Sequence, residues 1–203
     1  MLFRSANAAE PGSSNNLGWS FDSGTQAFDF LGQGETLVLT YTLKGTDSST
    51  DAKTDTQTVT ITVTGTDDAP DIAVKSGDSA AKSLTEADAG LTSSGTLSLT
   101  DADLSDTVTV AVDSVTTGGT FAGTNPLTNA QLKAMLSLTS ASANAAEPGS
   151  SNNLGWSFDS GTQAFDFLAQ GETLVLTYTL KGTDRKSTRL NSSHVKRSRM
   201  PSS

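Results

Sequence analysis

The chain has 203 residues, of which 34 % are hydrophobic and 17 % charged, and its formal net charge is −9. Acidic surfaces repel nucleic acid and anionic lipid, so neither is expected as a partner. Cysteine is absent and the only histidine is His194, which excludes cysteine nucleophiles, the usual zinc sites and histidine general bases elsewhere in the chain.

A block of 43 residues occurs twice, at residues 5–47 and 142–184, and the two copies differ only in Gly32 and Ala169. Self-similarity over such a long period indicates a tandem array of folded units. We predict that residues 1–68 are the C-terminal part of a first repeat. Residues 69–184 are then a second repeat that lacks its last strand.

Residues 185–203 have a different character, because they carry six of the thirteen basic residues and no acid. Residues 184–191 can be back-translated as GAT CGG AAG AGC ACA CGT CTG AAC, and this DNA sequence resembles a common sequencing adapter. We therefore expect a disordered, non-native tail that should be set aside. The alternative is a basic disordered tail that binds nucleic acid or membrane. Without the tail, all 22 acidic and seven basic residues remain, a net charge of −15.

In the first repeat, alternation of apolar and polar residues predicts β-structure throughout. Residues 17–22 and 27–31 flank a glycine-bearing turn, which is typical of a hairpin. A second pair of strands is predicted at residues 35–43 and 58–64, joined by a polar loop at residues 45–53. The second of these should be the closing strand of the repeat.

A short acidic joint at residues 65–71 leads into the second repeat, and Pro70 ends strand pairing there. Further strands are predicted at residues 72–74, 95–99 and 107–115. Residues 128–136 form the single helical candidate, with Thr128 able to cap the first turn and Leu132, Met135 and Leu136 on one face.

Trp19 and Trp156 lie in alternating stretches beside Phe21 and Phe158. Packing in the core explains this placement, and stacking on a carbohydrate is the alternative. Short alternating strands with almost no helix indicate an all-β fold of the β-sandwich type. Since both repeats are truncated, we expect neither to complete a sandwich, and their sheet edges should be exposed.

Several motifs in order resemble the VCBS repeat, and together they cover nearly all of residues 5–184. They are GTLSLTDAD at 95–103, GWSF at 155–158, FDFL at 165–168, GETL at 171–174, LTY at 176–178 and the stretch 59–70. The resemblance implies cadherin-like or Ig-like β-sandwich repeats in a large bacterial surface or secreted adhesin exported by type I secretion. It also implies an extracellular location and a role in cell adhesion or biofilm formation.

Calcium is the cofactor that the resemblance to cadherins implies. Residues 64–70 are similar to the cadherin linker DxNDNAP, with Asp67 at its central Asp, Glu86 resembles an early glutamate of the next cadherin repeat, and Asp101 with Asp103 resembles a later acidic pair. Independently, acids crowd the joint and the loop at residues 101–106, where their repulsion opposes ordering unless a cation intervenes. The predicted ligands are Asp67, Asp68, Asp71, Glu86, Asp101, Asp103 and Asp106. The alternative is that these aspartates only cap turns.

The function hypothesis is a non-enzymatic spacer with no catalytic residues, in contact with neighbouring repeats of the same chain. Other regions of the full protein would bind surface polysaccharide or a host or abiotic surface. No insertion into a membrane is expected, because no apolar run in the sequence is long enough to span a bilayer. Two alternatives stay open, namely a carbohydrate-binding module and an accessory array of a secreted hydrolase.

Overall fold

The structure is a computed structural model that describes residues 14–139 and 148–185, together with the backbone of residues 2 and 3. Strands dominate this part of the chain, which confirms the all-β fold class. The elements are β1 (Leu2–Phe3), β2 (Trp19–Ser20), β3 (Thr36–Thr46), β4 (Thr54–Thr64), β5 (Asp71–Ala73), β6 (Thr92–Thr100), β7 (Thr107–Gly119), α1 (Asn129–Ala134), β8 (Leu136–Leu138), β9 (Leu154–Asp159) and β10 (Leu174–Arg185). The predicted tail lies outside the described residues except for Arg185, which extends β10 one residue past the expected boundary.

The second repeat contains two antiparallel sheets that share a core. One sheet has the order β5-β6-β9-β8, and the other pairs β7 with β10. Leu97, Leu99 and Leu154 of the first sheet pack against Val108 and Val110 of the second. Each such side chain stabilises the fold by about 1.5–3 kcal/mol when fully buried. Two sheets around a common core agree with the predicted sandwich, while the Ig-like or cadherin-like strand arrangement stays a prediction.

The predicted helix is confirmed as α1, with Thr128 as its N-cap. Thr128 Oγ1 accepts a hydrogen bond from the backbone N–H of Gln131 (3.3 Å), and Gln131 Oε1 accepts one from the backbone N–H of Thr128 (2.9 Å). This reciprocal pair is a capping box, which satisfies two otherwise unpaired donors. Leu132 and Met135 are buried in a second core cluster. Leu136, expected in the helix, instead begins β8.

The first repeat forms only two-stranded sheets within the described residues. β1 pairs with β2, and β3 pairs with β4 in one continuous register from Thr36 opposite Thr64 to Thr46 opposite Thr54. One face of the β3–β4 hairpin is apolar but only half-buried, as its alternating burial shows. That residues 1–68 do not complete a sandwich stays a prediction.

Identical sequences form strands of different length in the two copies. Residues 154–159 make the six-residue strand β9, which is hydrogen-bonded to β6 on one side and β8 on the other. The same sequence at residues 17–22 forms only the two-residue strand β2. Among the described residues only the two-residue strand β1 lies beside β2, so residues 17–22 have far fewer strand partners than β9, which has a strand on each side.

The predicted strand at residues 27–31 is wrong, and the same sequence at residues 164–168 does not form a strand either. Phe28 and Phe165 both adopt φ 66°, a left-handed conformation that ends a strand. The N–H of Leu31 then donates to the carbonyl of Phe28 (3.1 Å), and that of Leu168 to the carbonyl of Phe165 (3.0 Å). These are tight turns, and in the second copy the turn places the Phe165 ring in the core.

The two tryptophans also differ. Trp156 packs against both core clusters, and its Nε1 donates to the carbonyl of Ser79 (2.9 Å), as core packing predicts. Trp19 is 48 % exposed, so the prediction of core packing is wrong for this copy. The reason is again the smaller number of partners, since Trp156 lies between Gly95 of β6 and Leu138 of β8, whereas among the described residues Trp19 has only Phe3 of β1 opposite it.

Candidate metal centre

Three segments of the chain bring carboxylates together where the first repeat meets the second. Asp67 comes from the linker after β4, Asp106 from the loop between β6 and β7, and Asp184 from the end of β10. A carboxylate oxygen of each lies within 4.8 Å of the others. Calcium binds oxygen at 2.3–2.6 Å, so ligands on opposite sides of one ion are about 5 Å apart. The three side chains therefore fit a single divalent cation.

The loop between β6 and β7 holds three aspartates that are nearly inaccessible to solvent. Asp101, Asp103 and Asp106 are 4 %, 2 % and 4 % exposed. In each, one oxygen has no hydrogen-bond partner: Asp101 Oδ2, Asp103 Oδ1 and Asp106 Oδ2. An unpaired buried carboxylate oxygen is strongly unfavourable, and such charges are normally paired or coordinate metals.

Hydrogen bonds fix the other oxygen of each of these carboxylates. Asp101 Oδ1 accepts from the N–H of Asp103 (3.0 Å), and Asp106 Oδ1 accepts from Ser105 Oγ (3.0 Å). Asp103 Oδ2 accepts from the N–H of Asp68 (2.8 Å), which ties the linker to the loop. One oxygen is thus used to orient each side chain, and the second is available for an ion.

The electrostatics show that the cluster is repulsive without a cation. Burial raises the pKa of Asp101, and repulsion by Asp103, Asp184 and Asp106 adds to this, although the N–H of Asp103 opposes it. Burial likewise raises the pKa of Asp103, against the hydrogen bond from Asp68, and the charges of Asp106, Asp68 and Asp67 raise it further. Each of these shifts means that the folded protein disfavours the ionised carboxylate, which a bound cation would reverse.

The structure places the remaining predicted ligands around or away from this centre. Asp68 contributes its backbone N–H to Asp103 and is half-buried. Asp71 begins β5, is exposed, and lines a shallow cleft with Asp68 and Asp101. Glu86 lies in a different group with Asp88 and Asp166, and all three are exposed. Their exposure leaves no unsatisfied buried atom there, so this second group gives no comparable signal for a metal.

Asp184 is the residue that sequence reasoning missed. It lies opposite Val108 in the β7–β10 ladder, which carries it to Asp106 just before β7 begins. Its copy, Asp47, does something else: Asp47 Oδ1 accepts from the N–H of Ser49 (3.1 Å) and of Lys53 (3.2 Å) in the β3–β4 loop. The register of β10 against β7 is the only signal for Asp184, and it cannot be read from spacing along the chain.

The single difference between the two copies falls at this joint. Gly32 is buried, and a Cβ at this position would lie 2.8 Å from Ser105 Oγ and 3.4 Å from Asp106 Oδ1. The carbonyl of Phe30 accepts a hydrogen bond from the N–H of Leu104 (3.4 Å), so the turn that contains Phe30 and Gly32 lies directly on the loop at residues 101–106. Ala169, its counterpart, is exposed. Glycine at position 32 therefore permits the close contact between the repeats.

Searches against protein-family models, curated proteins and solved structures found no match. In the part of the chain that the structure describes, no helix has the length and apolar character needed to cross a bilayer.

Proposed function

We propose that the chain is a non-enzymatic repeat segment of a large bacterial surface or secreted adhesin, stiffened by calcium at the joint between repeats. The observation that carries the proposal is the set of unpaired oxygens on Asp101, Asp103 and Asp106, each more than nine-tenths buried. Three such atoms within one loop of six residues are unfavourable unless a cation satisfies them.

The donor set favours calcium over transition metals. All candidate ligands are carboxylate oxygens, with no cysteine or histidine among the described residues, and hard oxygen ligands suit calcium or magnesium. Magnesium requires near-ideal octahedral geometry, whereas calcium accepts irregular sets of six to eight oxygens. Asp67, Asp106 and Asp184 would hold the ion directly, and the free oxygens of Asp101 and Asp103 lie in the same loop.

Binding would stiffen the joint because the ligands come from the linker, the loop and a core strand. Without the ion, repulsion pushes Asp67 in the linker away from Asp106 and Asp184 in the second repeat. With the ion, the linker is fixed to the sandwich beside the existing hydrogen bond from Asp68 to Asp103. At tenfold excess over the dissociation constant, the ion adds about 1.4 kcal/mol of stability per site.

A rigid joint suits a spacer that projects a distal binding region from a cell. Duplication of a nearly identical block lengthens the protein, whereas recognition of one ligand does not require a duplicated sequence. The duplication therefore suits a spacer better than a ligand-binding module. The resemblance to VCBS repeats supports the same function and an extracellular location. Calcium modules outside cells have dissociation constants of about 10⁻⁴–10⁻³ M, an affinity that a partly exposed site can reach.

The test compares two variants at the same position of the duplicated block. Asp184→Asn removes a proposed ligand, and Asp47→Asn changes its copy in the β3–β4 loop. Thermal melting and calorimetric titration of the 203-residue chain would be measured with calcium, with magnesium and with chelator. We expect calcium to raise the melting temperature of the unmodified chain and of Asp47→Asn, and to leave Asp184→Asn unchanged.

Two results would contradict the proposal. One is the absence of both calcium heat and calcium-dependent stabilisation in the unmodified chain. The other is an equal calcium response in Asp184→Asn and Asp47→Asn, which would place the ion elsewhere. Calcium binding with no change in the susceptibility of residues 65–70 to proteolysis would support the site but contradict stiffening of the joint.

A further inference from the structure

Strands β3 and β10 have the same sequence and different partners. Residues 36–47 and 173–184 are identical, yet β3 pairs with β4 whereas β10 pairs with β7. Among the described residues each of the two strands belongs to a two-stranded sheet, so each leaves one edge without a strand. The two copies can therefore be compared edge by edge.

The two copies use opposite edges. Backbone groups of successive residues in a strand point to alternate edges. The carbonyl of Glu35 accepts from the N–H of Gly65 (2.8 Å), so Glu35 and every second residue after it bond towards β4. The carbonyl of Thr173 accepts from the N–H of Thr120 (3.0 Å) beside β7, and Thr173 corresponds to Thr36, the neighbour of Glu35. The edge of β10 left open is thus the one that β3 uses to bind β4.

We propose that the open edge of β10 is a binding site for strand β4 of a second copy of the chain. The register follows from the β3–β4 hairpin, because the acceptor sequence is the same. Thr64 of the second copy would lie opposite Thr173, and Thr60 opposite Thr177. The resulting sheet has the order β7-β10-β4, with the third strand supplied by the other molecule.

The side chains of β4 match the face that this position presents. In the hairpin, Val63 lies opposite Leu37 and Ile61 opposite Leu39, on the same half-buried face. The counterparts of these leucines in β10 are Leu174 and Leu176, which pack against the second core cluster. A β4 strand in this register would therefore extend the apolar interior, whereas in the hairpin the same side chains remain half-exposed.

The strand cannot come from the same molecule in this register. Pro70 lies against Gly182, since its Cγ is 3.3 Å from where a Cβ on Gly182 would be. Thr64 would have to lie opposite Thr173, nine residues away along β10, a distance of about 30 Å. Only six residues connect Thr64 to Pro70, and they span about 20 Å when fully extended. The linker is too short, so the donor must be a second copy.

Reciprocal exchange gives a closed dimer. Each molecule withdraws β4 from its own β3 and places it on β10 of the other, which replaces one set of backbone hydrogen bonds by an identical set. The exchange adds the burial of the apolar face of β4 against a core that is already formed. Because opening the hairpin precedes exchange, the dimer is expected after refolding at high protein concentration.

Engineered disulfides test the pairing directly, because the chain has no cysteine. Thr60 and Thr177 are exposed and opposite in the proposed register, so the double variant T60C/T177C should form a reducible dimer after refolding and oxidation. T40C/T60C is the matched control, since the same residue types meet inside the hairpin, and it should give a cross-linked monomer. T62C/T177C is displaced by two residues and should give about tenfold less dimer, because its Cα atoms lie beyond disulfide reach.

The expected result is a disulfide bond that joins position 60 of one molecule to position 177 of another, located by mass spectrometry. The dimer fraction of the unmodified chain should also rise with concentration in light scattering. Equal dimer yields from T60C/T177C and T62C/T177C would show random collision and overturn the proposal. A cross-linked monomer of T60C/T177C would show that the strand pairs within one molecule. If the unmodified chain is monomeric at every concentration after refolding, the exchange does not occur.

Discussion

Removing one charge from the joint should have opposite effects with and without calcium. Asp106 is 4 % exposed, and one of its oxygens lies within 4.8 Å of carboxylate oxygens of both Asp67 and Asp184. At an effective dielectric constant of about 20, two charges at this separation repel by about 3.5 kcal/mol. Asp67 is exposed and Asp184 half-exposed, so solvent screening reduces this value considerably.

We therefore expect Asp106→Asn to raise the free energy of unfolding by about 1–2 kcal/mol at neutral pH in chelator. The amide keeps an oxygen that can accept the hydrogen bond from Ser105, so the loop should retain its shape. In saturating calcium the order should reverse, because the variant loses a ligand and with it the stabilisation of about 2.7 kcal/mol that the ion gives the unmodified chain at hundredfold excess over the dissociation constant.

Urea denaturation in chelator and in calcium measures both values on the same preparations. Asp166→Asn serves as a control, because Asp166 belongs to the exposed acidic group away from the joint. A variant that is destabilised equally in chelator and in calcium would refute the reasoning, since it would show that Asp106 acts only as a turn residue. A calcium response as large as that of the unmodified chain would remove Asp106 from the ligand set.

Three further predictions concern the joint, the core and the pH dependence. Gly32→Ala should destabilise the chain by about 1 kcal/mol, because its Cβ would crowd Ser105. The matched change Ala169→Gly should leave the joint unchanged. Urea denaturation measures the stability of both variants, and proteolysis of the linker reports on the joint. Leu132→Ala should lower the free energy of unfolding by about 2–5 kcal/mol, because Leu132 is 0 % exposed and its removal leaves a cavity; urea denaturation measures the loss. Although burial raises the pKa of Asp78, hydrogen bonds from Ser98, Lys75, Asn152 and Thr96 outweigh it and lower the pKa from 3.8 to about 2. The native state thus prefers the ionised carboxylate of Asp78. The stability that this preference contributes is present above pH 3.8 and is lost as the pH falls to about 2. Asp78→Asn should therefore flatten the change in urea midpoint over this interval.

Much of the fold could be predicted from local patterns. Period-two alternation found most strands of both repeats, and Thr128 with the apolar face of Leu132 and Met135 found the helix. The failure at residues 27–31 has a local cause: the half-buried Phe28 and its buried copy Phe165 adopt the same left-handed conformation (φ 66°), so the turn forms whether or not the ring enters the core. Alternation of apolar and polar residues does not indicate where a non-glycine residue adopts a positive φ, so the turn could not be predicted from the pattern.

The candidate site was predictable in composition but not in assembly. Asp67, Asp101, Asp103 and Asp106 were found because acidic residues crowd short segments of sequence. Asp184 could not be found, since only the pairing of β10 with β7 brings it to the loop. Glu86 is the opposite case. It was predicted as a ligand because it resembles an early glutamate of cadherin repeats, but it lies with Asp88 and Asp166 in a separate exposed group.

By itself the sequence determined the strand-rich character, the duplicated block, the acidic charge and the restriction of possible ligands to oxygen, because these depend on residue type and spacing alone. Only the tertiary structure decided what each copy of the block does. The same sequence gives a six-residue strand or a two-residue one, a partly buried or an exposed tryptophan, and a loop cap at Asp47 or a carboxylate of the joint at Asp184. The physical reason is that backbone hydrogen bonds and apolar burial need partners, and the two copies have different neighbours.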